Sequence, residues 1–145
     1  MEIPDPQPGL VVRYSYLWRD EQRRGMEEGS KERPCAVVLA VLQGDGERRV
    51  VVAPITHSPP AADSGAIEVP AAVAARLGLD DDRQWIVTHE VNLFSWPGPD
   101  IRPVPNRHPE TIAYGQLPHG LASQLIERVR EHVRQRTGVT VTRTE

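Results

Sequence analysis

Apolar residues along this chain gather in short runs, and only one segment near the C-terminus repeats with a helical period. Residues 10–18, LVVRYSYLW, are rich in Val, Tyr and Trp and predict a β-strand. Residues 34–42, PCAVVLAVL, form an unbroken apolar run and predict a strand buried on both faces, with Pro34 at its first position, where a missing N–H is tolerated. Residues 48–56, RRVVVAPIT, predict a second buried strand. The turn residues Gln43-Gly44-Asp45-Gly46 between the two make them a hairpin. Pro54 predicts a bulge or an edge near the end of the second strand.

Further on, residues 66–69 predict a short strand. Residues 70–79 predict a short helix that starts at Pro70 and stops at Gly78, and residues 83–92 predict another strand. Residues 118–137 are the one long amphipathic helix. Leu121, Leu125, Val129 and Val133 recur every four residues with Ala122 and Ile126 beside them, and Gly138 closes the helix. VTVTRTE at residues 139–145 alternates and predicts a last short strand. The remaining segments read as a proline-rich flexible arm at 1–8, an exposed charged loop at 19–33, a loop at 57–65, an acidic turn at Asp80-Asp81-Asp82, and an irregular stretch at 93–109. This order predicts a mostly β protein with helices. Short antiparallel strands form a small barrel or half-barrel, with a C-terminal helix packed across one end, and residues 9–145 make a single domain.

Composition narrows the class. The chain has 145 residues with 39% hydrophobic and 26% charged positions, a globular balance. Its 17 Lys and Arg against 20 Asp and Glu leave a net charge of −3, which excludes a wholesale basic coat and leaves room for a local basic patch. The single cysteine, Cys35, cannot form an internal disulfide and sits in a buried apolar run. With no signal peptide and no apolar run of membrane length, this predicts a cytoplasmic protein with no membrane contact.

Common catalytic schemes are missing: there is no phosphate-binding Gly-rich loop, no G-x-S-x-G elbow and no zinc-type histidine spacing. The Asp80–Asp82 run reads as a solvated turn, and no metal or cofactor is expected. Polar groups at strand ends remain. Arg33 precedes the first hairpin strand, and Thr56, His57 and Ser58 follow the second, so antiparallel pairing brings Arg33 beside Thr56. A guanidinium fork next to a hydroxyl suits a phosphate. His89 and Glu90, on a later strand, offer acid–base capacity. The long helix carries Arg128, Arg130, Arg134 and Arg136 on its polar face, a basic edge for RNA or an acidic partner.

The ordered set PGLVVRY, Glu21-Gln22, KERPCAVVLA, VVVAPITHS and WIVTHEVN, spanning residues 8–92, resembles the PemK/MazF family of toxin–antitoxin ribonucleases. Arg33-Pro34 followed by an apolar strand, and Ala53-Pro54-Ile55-Thr56, are its most specific marks. The resemblance implies an SH3-like barrel that forms a homodimer, is neutralised by a cognate antitoxin protein, and cleaves single-stranded RNA without a metal to 2′,3′-cyclic phosphate and 5′-hydroxyl ends. It assigns Arg33 and Thr56 as the catalytic pair and places the family's acidic residue at Glu90. His89 is then a substitute proton carrier, since some relatives use an Arg at the position of Thr88. RNA contacts are expected at Arg13, Lys31, His57 and Ser58. The long 19–33 loop and the proline-rich stretch 95–109 depart from the family pattern. The alternative is a non-catalytic SH3-like barrel that binds RNA or a protein.

Overall fold

The computed structural model describes residues 1–29 and 31–143. Eight strands form one mostly antiparallel sheet that curls into a half-barrel: β1 (Leu10–Tyr14), β2 (Arg33–Leu42), β3 (Arg48–Thr56), β4 (Ile67–Glu68), β5 (Trp85–Ile86), β6 (Glu90–Ser95), β7 (Ala113–Gln116) and β8 (Val139–Thr142). Three helices accompany it: α1 (Arg19–Arg23), α2 (Ala71–Leu77) and α3 (His119–Gln135). The path β4-β5-β3-β2-β1-β7 is extended by β6, which pairs with β3 and β8.

The β2–β3 hairpin is the spine of the sheet. Its turn closes through Gln43 N–H to Glu47 O at 2.7 Å, with Gly46 at positive φ. The bulge falls at Val38, where the register shifts between Val37 and Leu39, and not at Pro54. Pro54 marks a change of neighbour instead. Strand β3 pairs with β6 up to Val52 and with β5 from Ile55. The Pro54 carbonyl accepts from Val87 N–H on that side, so the missing donor faces the gap between the two partners.

The two faces of the sheet belong to different cores. One holds Val11, Ala36, Val38, Ala53, Ile55 and Val91 under α3 and α2. The other holds Val12, Tyr14, Tyr16, Cys35, Val37, Val50, Val52, Phe94 and Ile112. Tyr14 stacks on Phe94 at 4.5 Å. At the edge of this second core, buried Arg143 ion-pairs with Asp100 at 2.9 Å and donates to Tyr14 Oη at 3.0 Å and Ser15 O at 2.7 Å.

Several sequence expectations change. The first strand ends at Tyr14, and beyond it the backbone turns to other partners: Ser15 N–H donates to Asp100 O, and Leu17 and Arg19 bond to side chains of β6. The 19–33 segment is not wholly exposed: it opens with α1, whose Glu21 is buried. The far half of β2 is not covered on both faces, since Leu39, Val41 and Leu42 are 50%, 42% and 70% exposed. Residues 83–92 split into β5 and the start of β6, and β7 has no counterpart in the sequence pattern. Helix α3 stops at Arg136, which adopts the left-handed conformation expected of Gly138, and Val133 lies outside the buried stripe. Strand β8 pairs with β6 in parallel. The last two residues of the 139–145 expectation lie outside the described residues. No described helix is long and apolar enough to cross a membrane.

Candidate functional site

Strands β1, β2, β3 and β5 come side by side at one end of the sheet. Tyr14 pairs with Arg33, and Thr56 pairs with Trp85. Continuing the Cys35–Pro54 register by two residues sets Arg33 across from Thr56, on the face of the sheet that carries Cys35. The paired residues themselves end at Cys35 and Pro54, and Arg33 and Thr56 line different clefts.

Trp18 links the two residues. The Arg33 guanidinium lies 5.2 Å from the centroid of the Trp18 ring. Trp18 also lines a cleft of about 520 Å³ together with Thr56, Ser58, His89 and His132. Thr56 Oγ1 accepts from Ser58 N–H at 3.1 Å, which leaves its own hydroxyl hydrogen for another acceptor. Arg33 Nε is buried and has no hydrogen-bond partner among the described residues, an uncommon state for a guanidinium nitrogen.

Trp18 is fixed from below by β6. Asn92 is fully buried and treats the backbone of Leu17 as a strand would: Oδ1 accepts Leu17 N–H at 2.9 Å and Nδ2 donates to Leu17 O at 2.8 Å. Glu90 accepts from Tyr16 Oη–H at 2.9 Å and from Arg19 N–H at 3.3 Å, while Glu21 accepts from Trp18 N–H at 3.1 Å. Tyr16 meets Trp18 edge-on at 4.9 Å. Burial pushes the Glu90 carboxyl above its ordinary range, although its hydrogen bonds from Tyr16 and Arg19 oppose that shift. Glu90 thus braces the Trp18 segment from the core and lines neither cleft, and its carboxylate contacts lie with Tyr16 and Arg19 and not with Arg33.

His89 immediately precedes β6 and opens onto the Thr56 cleft. Burial, and then the nearby His132 ring at 6.2 Å, depress its basicity, so the neutral imidazole is favoured near pH 7. His132 is itself anchored, with Nε2 2.9 Å from Ser64 O and Nδ1 2.7 Å from Thr137 Oγ1. Because the Ser64 carbonyl only accepts, His132 carries its proton on Nε2.

A second cleft, about 340 Å³, lies against Arg33 and is lined by Arg13, Lys31, Glu32, His57, Asp80, Arg107 and Tyr114 among others. Arg13 is held by Glu32 at 3.2 Å and donates to Tyr114 Oη at 2.9 Å, and Arg107 donates to Leu77 O at 2.8 Å. Lys31 is exposed and makes no ion pair among the described residues. His57 is drawn to the acidic turn, with Nε2 2.9 Å from Asp80 Oδ2, and Asp82 is close by. The turn that sequence spacing isolates therefore has a spatial neighbour. On α3, Arg134 is occupied by Glu127 and Glu131, and Arg128 donates to Gly65 O, so the helical basic edge is partly neutralised.

The structure thus gathers Thr56, Ser58 and His89 in one cleft with Trp18, while Arg33 lies over the Trp18 ring and lines the neighbouring cleft. It sets Arg13, Lys31 and His57 in the neighbouring cleft and withdraws Glu90 into the core. Sequence reasoning misses Trp18, Tyr16 and Asn92. Trp18 and Tyr16 signal only strand propensity, and no local feature ties residue 92 to residue 17. No family model and no curated protein sequence matches the chain.

Proposed function

We propose that the protein is an endoribonuclease that cleaves single-stranded RNA to 2′,3′-cyclic phosphate and 5′-hydroxyl ends, on an SH3-like barrel of the PemK/MazF type. The observation that carries this reading is Arg33. Its guanidinium lies over the Trp18 ring, on the strand position that the Cys35–Pro54 register extends toward Thr56, with a buried Nε that nothing among the described residues satisfies. A phosphodiester oxygen supplies the missing acceptor, and the planar fork and the hydroxyl together grip two or three oxygens. The exposed side of Trp18 offers a stacking surface for an adjacent base.

In this reading the 2′-hydroxyl attacks phosphorus as neutral His89 takes its proton. The P–O2′ bond forms, the P–O5′ bond breaks, and the departing 5′ oxygen takes a proton from solvent. Arg33 stabilises the charge that builds on the non-bridging oxygens. Glu90 acts indirectly, through Tyr16 and the Trp18 segment. Arg13, Lys31, His57 and Ser58 flank the scissile position. A homodimer and a neutralising antitoxin in the cytoplasm belong to the same proposal.

The test is incubation of purified protein with end-labelled single-stranded RNA in the presence of a chelator, followed by analysis of the ends. Cyclic phosphate that disappears in Arg33→Ala supports the proposal. RNA retained on the protein but left intact points to the non-catalytic barrel. Neither cleavage nor retention overturns the RNA reading.

A further inference from the structure

The end of β3 and the turn before β5 place an imidazole against two carboxylates. Thr56 pairs with Trp85, so His57, the next residue, reaches the start of β5 and the acidic turn that precedes it. His57 Nε2 lies 2.9 Å from Asp80 Oδ2. One ligand atom each from His57, Asp80 and Asp82 lies within 4.8 Å of the others. The turn is ordered by its own bonds. Asp80 Oδ1 accepts Asp82 N–H at 3.2 Å, which leaves Oδ2 for His57, and Gln84 Nε2 donates to Asp80 O at 3.0 Å.

Carboxylates on a turn are ordinarily solvated, and the sequence shows this turn without His57 beside it. The imidazole sets the group apart. His57 Nδ1 lies 3.3 Å from Arg83 O, and a carbonyl only accepts, so Nδ1 carries a proton. In the neutral ring Nε2 then holds a lone pair, and that lone pair faces a carboxylate oxygen 2.9 Å away. Two acceptors so close need a cation between them, a proton or a metal ion. A backbone carbonyl on the far ring nitrogen is also the arrangement that orients metal-bound histidines. Among the described residues no Lys or Arg pairs with Asp80 or Asp82, and the adjacent Arg83 is held by Glu68 through two bonds of 2.9 Å. All three groups are exposed, so an ion reaches them from solvent.

We propose that His57, Asp80 and Asp82 bind a divalent transition-metal ion of the zinc class, with water completing its coordination. One imidazole nitrogen and two carboxylate oxygens suit Zn²⁺, whereas Mg²⁺ and Ca²⁺ take oxygen alone. At ligand distances of about 2.0–2.2 Å the donor atoms stand roughly 3–3.5 Å apart, a spacing that small side-chain rotations reach from the present one. The ion supplies nothing to the proposed cleavage, which is expected to run in chelator, and the site does not depend on the ribonuclease reading.

The probe is Zn²⁺ itself, titrated calorimetrically into full-length protein that has been stripped with chelator and dialysed. One equivalent should bind saturably, and the His57 ring resonances should shift in NMR spectra as it does. His57→Ala should weaken binding about 100-fold or more, because losing a ligand exceeds the ~10–100-fold that an outer partner costs. Asp80→Asn and Asp82→Asn should each weaken it about tenfold or more, since an amide oxygen brings no charge. His132→Gln, which breaks up the other close histidine pair, His89 and His132, should leave binding unchanged. The three proposed ligands are on the surface, and circular dichroism checks that the variants fold. No saturable binding, binding unchanged in His57→Ala, binding lost in His132→Gln, or Mg²⁺ binding as tightly as Zn²⁺ overturns the proposal. So does a His57 ring that responds to acid and not to Zn²⁺, because a proton alone then bridges it to Asp80. Failure of the ribonuclease reading would show instead as absent RNA cleavage with Zn²⁺ binding intact.

Discussion

Replacing Arg33 with methionine separates the stability of the fold from the activity proposed for it. Methionine keeps an unbranched apolar stem and a polarisable atom to lie on Trp18, and it removes the charge and the buried Nε. The substitution gives up the attraction between the guanidinium and the Trp18 ring 5.2 Å away, worth about 0.5–1 kcal/mol at a half-exposed position. It relieves the penalty of a buried donor without an acceptor, about 1–3 kcal/mol. The difference favours Arg33→Met by between about zero and 2.5 kcal/mol. At roughly 2–4 °C per kcal/mol for a domain of this size, the Tm should be unchanged or raised by several degrees. RNA cleavage should fall by about 10²–10³, the contribution of a preorganised donor to a developing phosphoryl charge. Thermal unfolding and cleavage of labelled RNA by the same preparation measure both. A Tm lowered by more than about 4 °C would mean that Arg33 braces the fold and is not held unsatisfied for a ligand. Cleavage within a few-fold of wild type would refute its role on the phosphate.

Thr56→Val removes one neutral hydroxyl at nearly constant volume, and cleavage should fall about 2- to 12-fold, the equivalent of roughly 0.5–1.5 kcal/mol; single-turnover rates check this, and a loss as large as that of Arg33→Met would be inconsistent with a neutral donor. Glu90 is held above its ordinary range, so the folded protein keeps that proton more tightly than the unfolded chain does, and wild-type stability should decline as pH rises from the normal carboxylate range through the folded-state value. Glu90→Gln lacks that decline, so urea midpoints should show the variant gaining on wild type between pH 4 and pH 7; a constant gap across that range would remove the basis for a raised Glu90. Arg143→Met breaks a buried ion pair to Asp100 and should destabilise by about 3–5 kcal/mol, partly recovered when Asp100→Asn is added; a loss under 1 kcal/mol in urea unfolding would show that the pair does not hold this edge of the second core.

Local sequence signals determined the hairpin spine, the limits of α2 and the amphipathic face of α3. In each case the information sits within a few residues: a Gly-Asp-Gly turn between two aliphatic runs, a proline and a glycine bounding α2, a four-residue apolar repeat. The turn paired β2 with β3 but did not fix the register at their far end: continued from Leu42–Arg48 it sets Pro34 across from Thr56, and only the bulge at Val38 shifts it by one residue to turn Arg33 toward Thr56. Only the tertiary structure decided how the site is built around that pair. Asn92 and Glu90 act as surrogate backbone partners for residues 16–19, more than seventy positions away, and so set Trp18 beneath Arg33. It also decided that the far half of β2 stays open although its residues are as apolar as those of the near half. Burial depends on where α3 lies across the sheet, and a residue's own hydrophobicity cannot encode the position of the element that covers it.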